Sequence, residues 1–160
     1  MKTALVSLAA FTLASPLFAA GPDAEKAYSK TIAVTPLMKT RVDAAGQPIT
    51  WPAYPAEVSA VRVVIPPGAE TGWHRHPVPC FAYILEGELD VKLETGETKH
   101  LKGGQAFAET VNVMHNGRNN SKRPVVLVMF AAGTADEPYA VKQPAAQTKT
   151  GARPHGPRRF

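Results

Sequence analysis

Polar and apolar residues alternate with a period of two along much of this chain. Leu89, Val91 and Leu93 are apolar, whereas Asp90, Lys92 and Glu94 are polar. This predicts a half-buried strand, because successive side chains of an extended chain point to opposite faces. Residues 58–65 also alternate, are rich in valine and run into Pro66-Pro67-Gly68, which predicts another strand and its stop. Residues 80–85 form a buried-looking run in which alternation sends Cys80, Ala82 and Ile84 one way and Phe81, Tyr83 and Leu85 the other. Further strands are expected at 31–37, from the turn Thr95-Gly96-Glu97 through Leu101, and at 105–109, 113–118 and 125–130, with 73–76 extended. Turns are expected at 43–48, at Glu86-Gly87-Glu88 and at Gly103-Gly104, and residues 51–55 are too rich in proline for a central strand. After the first twenty residues no helical period stands out. Many short strands punctuated by turns describe an all-β sandwich or barrel.

The chain of 160 residues is long enough for one domain with a real core. Its first twenty residues are a different object. Lys2 precedes an apolar run at 4–13, Pro16 breaks it, and Phe18-Ala19-Ala20 ends it with small residues. That order reads as a signal peptide cut after Ala19 or Ala20, hence a periplasmic or secreted protein. The run is too short to span a bilayer, so no transmembrane segment is expected. The expected organisation is 1–20 signal peptide, 21–30 flexible, 31–142 β-domain and 143–160 a basic, proline-rich disordered tail. Cys80 is the sole cysteine, so no intramolecular disulfide can form even in an oxidising compartment.

The net charge of +5 is concentrated at the ends. Between Asp23 and Glu137 there are 13 acidic and 12 basic residues, one net negative charge. The folded part therefore has no basic field of the kind that attracts nucleic acid.

Candidate chemistry lies in three histidines. His74 and His76 stand two apart, and an extended His-x-His pair presents both imidazoles on one face. His115, brought in from a neighbouring strand, would complete a three-imidazole site with a position left open for water or substrate. The alternative is three histidines satisfied by hydrogen bonds in the core.

Around these residues the chain resembles the cupin superfamily. The first cupin motif is matched as Gly68, five residues, His74-Arg75-His76, three residues, Cys80, six residues, Gly87, with Cys in the place of the usual Glu. The second is matched as Gly104, five residues, Thr110-Val111-Asn112, two residues, His115, three residues, Asn119. There Thr replaces Pro, and Asn replaces Gly, as the usual stand-in where the backbone turns left-handed. Sixteen residues separate the motifs. The resemblance implies a double-stranded β-helix, or jelly roll, of two antiparallel sheets. It also implies one divalent transition-metal ion (Fe, Mn, Ni, Cu or Zn) bound inside the barrel by His74, His76 and His115, and a homodimer paired through its sheets.

Cys80 has three readings: a fourth ligand, a thiol beside a three-histidine site, or a small buried hydrophobe. Glu109, six residues before His115, could reach the cavity as ligand or general base, or be a surface or salt-bridged strand residue. His100 is expected at the surface and His155 in the tail. Trp73 and Phe107 are candidates for the barrel mouth, Tyr83 and Met114 for core or interface, and Arg118 and Asn119 for fixing the hairpin after His115. Three functions fit this pattern. One is an exported metalloenzyme of dioxygenase type acting on a small phenolic, thiol or related molecule. Another is a non-catalytic module that holds a metal or small ligand. The third is an envelope protein docking through its basic tail.

Overall fold

The computed structural model describes residues 31, 33–53 and 55–144. The expected signal peptide at 1–20, the segment 21–30, His155 and all but the start of the expected tail lie outside them. The chain divides into two compact units, 1–39 and 40–160. In the first, residues 33–39 form no strand, which corrects the strand expected at 31–37. A strand needs an apolar face to bury, and among 33–39 only Val34 is even partly sheltered.

Among its described residues the second unit contains nine strands: β1 (Glu57–Ile65), β2 (His74–Arg75), β3 (Cys80–Glu86), β4 (Glu88–Leu93), β5 (Thr98–Lys102), β6 (Ala106–Ala108), β7 (His115–Arg118), β8 (Val125–Gly133) and β9 (Val141–Lys142). They form a four-stranded sheet in the order β1-β8-β3-β6 and a five-stranded sheet in the order β5-β4-β7-β2-β9. Every strand pairing is antiparallel. This is the expected all-β jelly roll. The described residues contain no helix, and so none long and apolar enough to cross a membrane.

The core lies between the sheets, and the alternation of the sequence maps onto it. Leu89, Val91 and Leu93 of β4 are buried, as are Cys80, Ala82 and Ile84 of β3 and Val125, Leu127, Met129 and Ala131 of β8. Antiparallel pairing places Val61 opposite Met129, Val63 opposite Leu127 and Ile65 opposite Val125, so these residues share the inner face. Gly87 turns β3 into β4 with φ 84°, and a Cβ there would stand 2.6 Å from the Pro124 carbonyl oxygen. No other residue fits without moving the backbone.

β8 runs three residues beyond the expected end at Phe130, because Ala131, Ala132 and Gly133 pair with β1. β7 starts later than expected, at His115, because Asn112 upstream adopts φ 59°. This is the left-handed turn that its place in the motif implied. β9 was not expected. It pairs Lys142 with His74 and Val141 with Arg75, and the Gln143 amide donates to the Trp73 carbonyl at 3.0 Å. The ordered chain therefore reaches the start of what was read as tail.

Candidate metal centre

His74 on β2 sits directly opposite His115 on β7. His76 leaves β2 through a parallel bridge to Val111. Register and the two-residue spacing bring three rings together, with centroids 4.4 to 5.1 Å apart and donor nitrogens within 4.8 Å of one another. His76 and His115 are each 2% exposed, and His74 is half-buried.

Each ring is oriented from behind by its Nδ1. His74 Nδ1 lies 2.8 Å from the Gly72 carbonyl oxygen, His76 Nδ1 2.6 Å from that of Tyr139, and His115 Nδ1 3.0 Å from that of Val113. A carbonyl only accepts, so each Nδ1 carries a proton and each neutral ring keeps a lone pair on Nε2. Thr110, at the motif's proline position, is buried against the same ring, with Oγ1 2.9 Å from His115 Nδ1. The Nε2 atoms of His76 and His115 are buried and form no hydrogen bond of good geometry; the polar group facing them is the Glu109 carboxylate.

Glu109 supplies the negative charge. It follows β6, and its amide donates to the Cys80 carbonyl at 2.8 Å. One carboxylate oxygen, Oε2, stands 3.3 Å from both His76 Nε2 and His115 Nε2, and its side chain is 10% exposed. The surface reading of Glu109 is thereby corrected: the residue faces the histidines. Donors bound about 2.0–2.2 Å from one cation lie roughly 3.0–3.5 Å from each other, so these separations fit a shared ion. The three clustered imidazoles suit a divalent transition metal, and the carboxylate stands against two of them.

The electrostatics agree. Burial favours the neutral form of Glu109, but the His115 and His76 rings facing it outweigh burial and hold its pKa at about 2. Burial likewise disfavours a charged His76; contacts with Cys80 and Glu109 overcome this and lift its pKa to about 10. Burial lowers the pKa of His74; the Gly72 carbonyl opposes this, and the neighbouring His115 and His76 add to it. A proton on His76 would compete with a metal for the Nε2 lone pair.

Cys80 is 1% exposed, stands beside His76, and its Sγ lies 3.6 Å from the Val78 carbonyl oxygen. It is not among the three side chains whose donor atoms cluster. His100 is exposed and bonds Asp90 at 2.6 Å. Phe107 lines the cavity in front of the site, whereas Trp73 does not. Tyr83 and Met114 are half-buried, and Arg118 pairs with Glu70 at 2.6 Å. Asn119 is fully buried and donates to the Ile65 and Arg123 carbonyls, tying the turn after β7 to the end of β1.

Two contributors escaped the sequence reading. Asp43 is 6% exposed; its Oδ1 accepts from the Ala45 and Gln47 amides and its Oδ2 from the Val111 amide at 2.9 Å. It thus anchors the loop carrying Glu109 and Thr110, although its position beside a turn signalled only the turn. The second is the Tyr139 carbonyl, a backbone group with no side-chain signature.

The site lies at one end of a cavity of about 500 Å³, bounded by strands of both sheets. An antiparallel jelly roll with three clustered histidines inside it defines a small barrel built to hold a metal. Residues 61–131 match the family model described as the cupin domain. The chain belongs to the cupin superfamily.

Among curated proteins it is similar to the Oryzines biosynthesis cluster protein J of Aspergillus oryzae, 33% identical over 66 residues, which are 41% of this chain and 36% of that protein. The chain thus spans about a third of that relative's length. Among solved structures it is similar to a cupin domain from Bordetella pertussis, with 30% identity, 48% of this chain and 82% of that one covered, and a TM-score of 0.44. It is also similar to a conserved protein with a double-stranded β-helix domain from Klebsiella pneumoniae subsp. pneumoniae, with 25% identity, coverage of 47% and 66%, and a TM-score of 0.43.

Proposed function

We propose that the protein is an exported metalloenzyme holding one divalent transition-metal ion through His74, His76 and His115, and that it carries out dioxygenase-type oxidation of a small phenolic, thiol or related molecule. The observation that carries this reading is the convergence of donor nitrogens from His74, His76 and His115 within 4.8 Å of one another, with the Glu109 carboxylate 3.3 Å from two of them. A cation bound there would supply Lewis-acid polarisation and, if redox-active, dioxygen chemistry.

The protein's own groups do the rest. The carbonyls of Gly72, Tyr139 and Val113 fix ring orientation and tautomer. Glu109 Oε2 faces the same point as the ring nitrogens, where it can accept the proton of a bound O–H or S–H group. The apolar inner faces of β1, β4 and β8 line the cavity in front of it. A non-catalytic holding module would use the same histidines, but the carboxylate beside them favours turnover.

Elemental analysis and oxygen uptake with catechol, flavonol and thiol panels test this reading. One metal per chain with uptake is expected, and His115→Ala should lose the metal. Full metal occupancy in that variant would refute the site. Metal without any turnover would favour the module. Export is tested by N-terminal sequencing of the mature protein, where cleavage after Ala19 or Ala20 is expected.

Self-association is part of the same proposal. The outer face of the four-stranded sheet leaves Val58, Phe130, Val64 and Leu85 exposed at 70, 50, 47 and 46%. Apolar side chains grouped on one sheet face suit a second copy of the chain. Light scattering should report a dimer that Phe130→Asp dissociates; a wild-type monomer at micromolar concentration would contradict this.

A further inference from the structure

We infer that Asp43 is a positioning residue for the metal centre: from a hairpin outside the two sheets it holds the loop that brings Glu109 to the histidines. This rests on the metal-binding reading above and adds to it a part of the chain that neither motif covers. Residues 109–112 all bear on the centre. Glu109 turns its carboxylate to His76 and His115, and Thr110 places its hydroxyl 2.9 Å from His115 Nδ1. Val111 bridges to His76, and the Asn112 amide donates to the His76 carbonyl at 2.8 Å. The loop is not relaxed. Asn112, at φ 59°, is the one non-glycine residue with a positive φ among the described residues. Such a conformation persists where the surroundings over-determine it. The Cys80 carbonyl pins the loop at the Glu109 amide, and the His76 carbonyl pins it at Asn112. Between these pins the Val111 amide donates to Asp43 Oδ2 at 2.9 Å.

The hairpin is built to deliver that oxygen. Val42 bridges to Pro48, the Ile49 amide donates to the Arg41 carbonyl, and Gly46 turns the tip with φ 81°. Asp43 spends Oδ1 on its own hairpin, accepting from the Ala45 and Gln47 amides at 2.9 Å each. Oδ2 is thereby aimed at the loop. Ala45 packs against the barrel core, and Asp43 is buried, so the bond to Val111 is sheltered from competing water. A sheltered amide that loses its acceptor is costly, which makes the loop follow the hairpin. The carboxylate at the centre is thus placed by a second carboxylate that is not among the clustered donors. Outer partners of this kind typically change metal affinity ~10- to 100-fold when removed.

The test uses Co(II) on the full-length protein. Asp43→Asn leaves an oxygen for the Ala45 and Gln47 amides and turns an NH2 group toward the Val111 amide, so it breaks one bond and keeps the hairpin. Co(II) affinity, read by competition with a chelator, should fall ~10- to 100-fold, and the visible bands that report the coordination shell should shift. Unchanged affinity and spectrum, with or without a loss of stability, would make Asp43 a structural tie only and overturn the inference. In a Glu109→Gln background the same substitution should cost much less, because it acts through Glu109. Fully additive losses would overturn that route. If the wild-type protein takes up no Co(II), the metal reading falls, and amide hydrogen exchange on the metal-free protein decides whether Asp43 holds the loop. Val111 lies outside the nine strands, yet its amide should exchange at least ~10-fold more slowly in the wild type than in Asp43→Asn. Unprotected exchange at Val111 in the wild type overturns the inference even if the variant misfolds.

Discussion

Cys80, the first residue of β3, and Glu109, the residue just after β6, are joined by the bond from the Glu109 amide to the Cys80 carbonyl, yet they occupy opposite roles. Cys80 stands where the cupin motif places a carboxylate, and it is a buried thiol bonded toward the Val78 carbonyl. Glu109 stands outside the motif's ligand positions, and its carboxylate meets two of the histidines. A metal site is specified by where donor atoms arrive in space. Here the carboxylate arrives from the residue after β6, not from the motif's position on β3.

Breaking the Glu109 side of this pair should have the largest effect. Glu109→Gln keeps shape and removes the proton acceptor, so turnover in the oxygen-uptake assay should fall ~100-fold. Unchanged turnover would assign Glu109 to packing. The comparison is sharpened by moving the carboxylate back: Cys80→Glu in the Glu109→Gln background should return activity to within ~10-fold of wild type if the two positions reach the same point. No recovery would mean that the neighbouring strands deliver different geometry.

Stability of the metal-free protein against pH reads the same cluster. His76 is raised from 6.5 to about 10, so its stabilisation is complete below pH 6.5 and is lost as pH climbs towards 10. Glu109 is depressed from 4.5 to about 2, so its stabilisation is present above pH 4.5 and is lost as pH falls towards 2. Chemical denaturation of the stripped protein should therefore show a maximum between about pH 4.5 and 6.5. Glu109→Gln should erase the acid limb, and a stripped protein growing steadily more stable from pH 7 to 10 would contradict the pairing.

Cys80→Ala should have the smallest effect. As a core filler the thiol contributes about 1 kcal/mol to unfolding free energy, with metal content unaltered. A changed metal affinity or spectrum would show that sulfur belongs to the coordination shell.

The histidines, the inward set on β3 and β4 and the turn at Asn112 were all legible in the residues. Each is a side-chain pattern or a backbone demand that a residue type advertises. Glu109 was not, because β6 is three residues long and ends before it. Alternation cannot orient a side chain in the loop beyond. That loop is aimed instead by the long-range bond from Asp43 to the Val111 amide, across 68 positions. Strand β9 was hidden because two residues carry no period, and its value lies in backbone pairing with β2. The strand expected at 31–37 erred the other way, since residues 33–37 pair with no strand among the described residues.

β9 also bears on how the site is assembled. The acceptor that orients His76 belongs to Tyr139, sixty-three positions later, and the strand after it lies along His74 and Arg75. A nascent chain that has delivered His74, His76 and His115 still lacks the clasp for one of its rings. Loading with the cation is thus tied to completion of the polypeptide, and a protease cut or a bulky fusion between β8 and β9 would disarm the centre without touching a ligand.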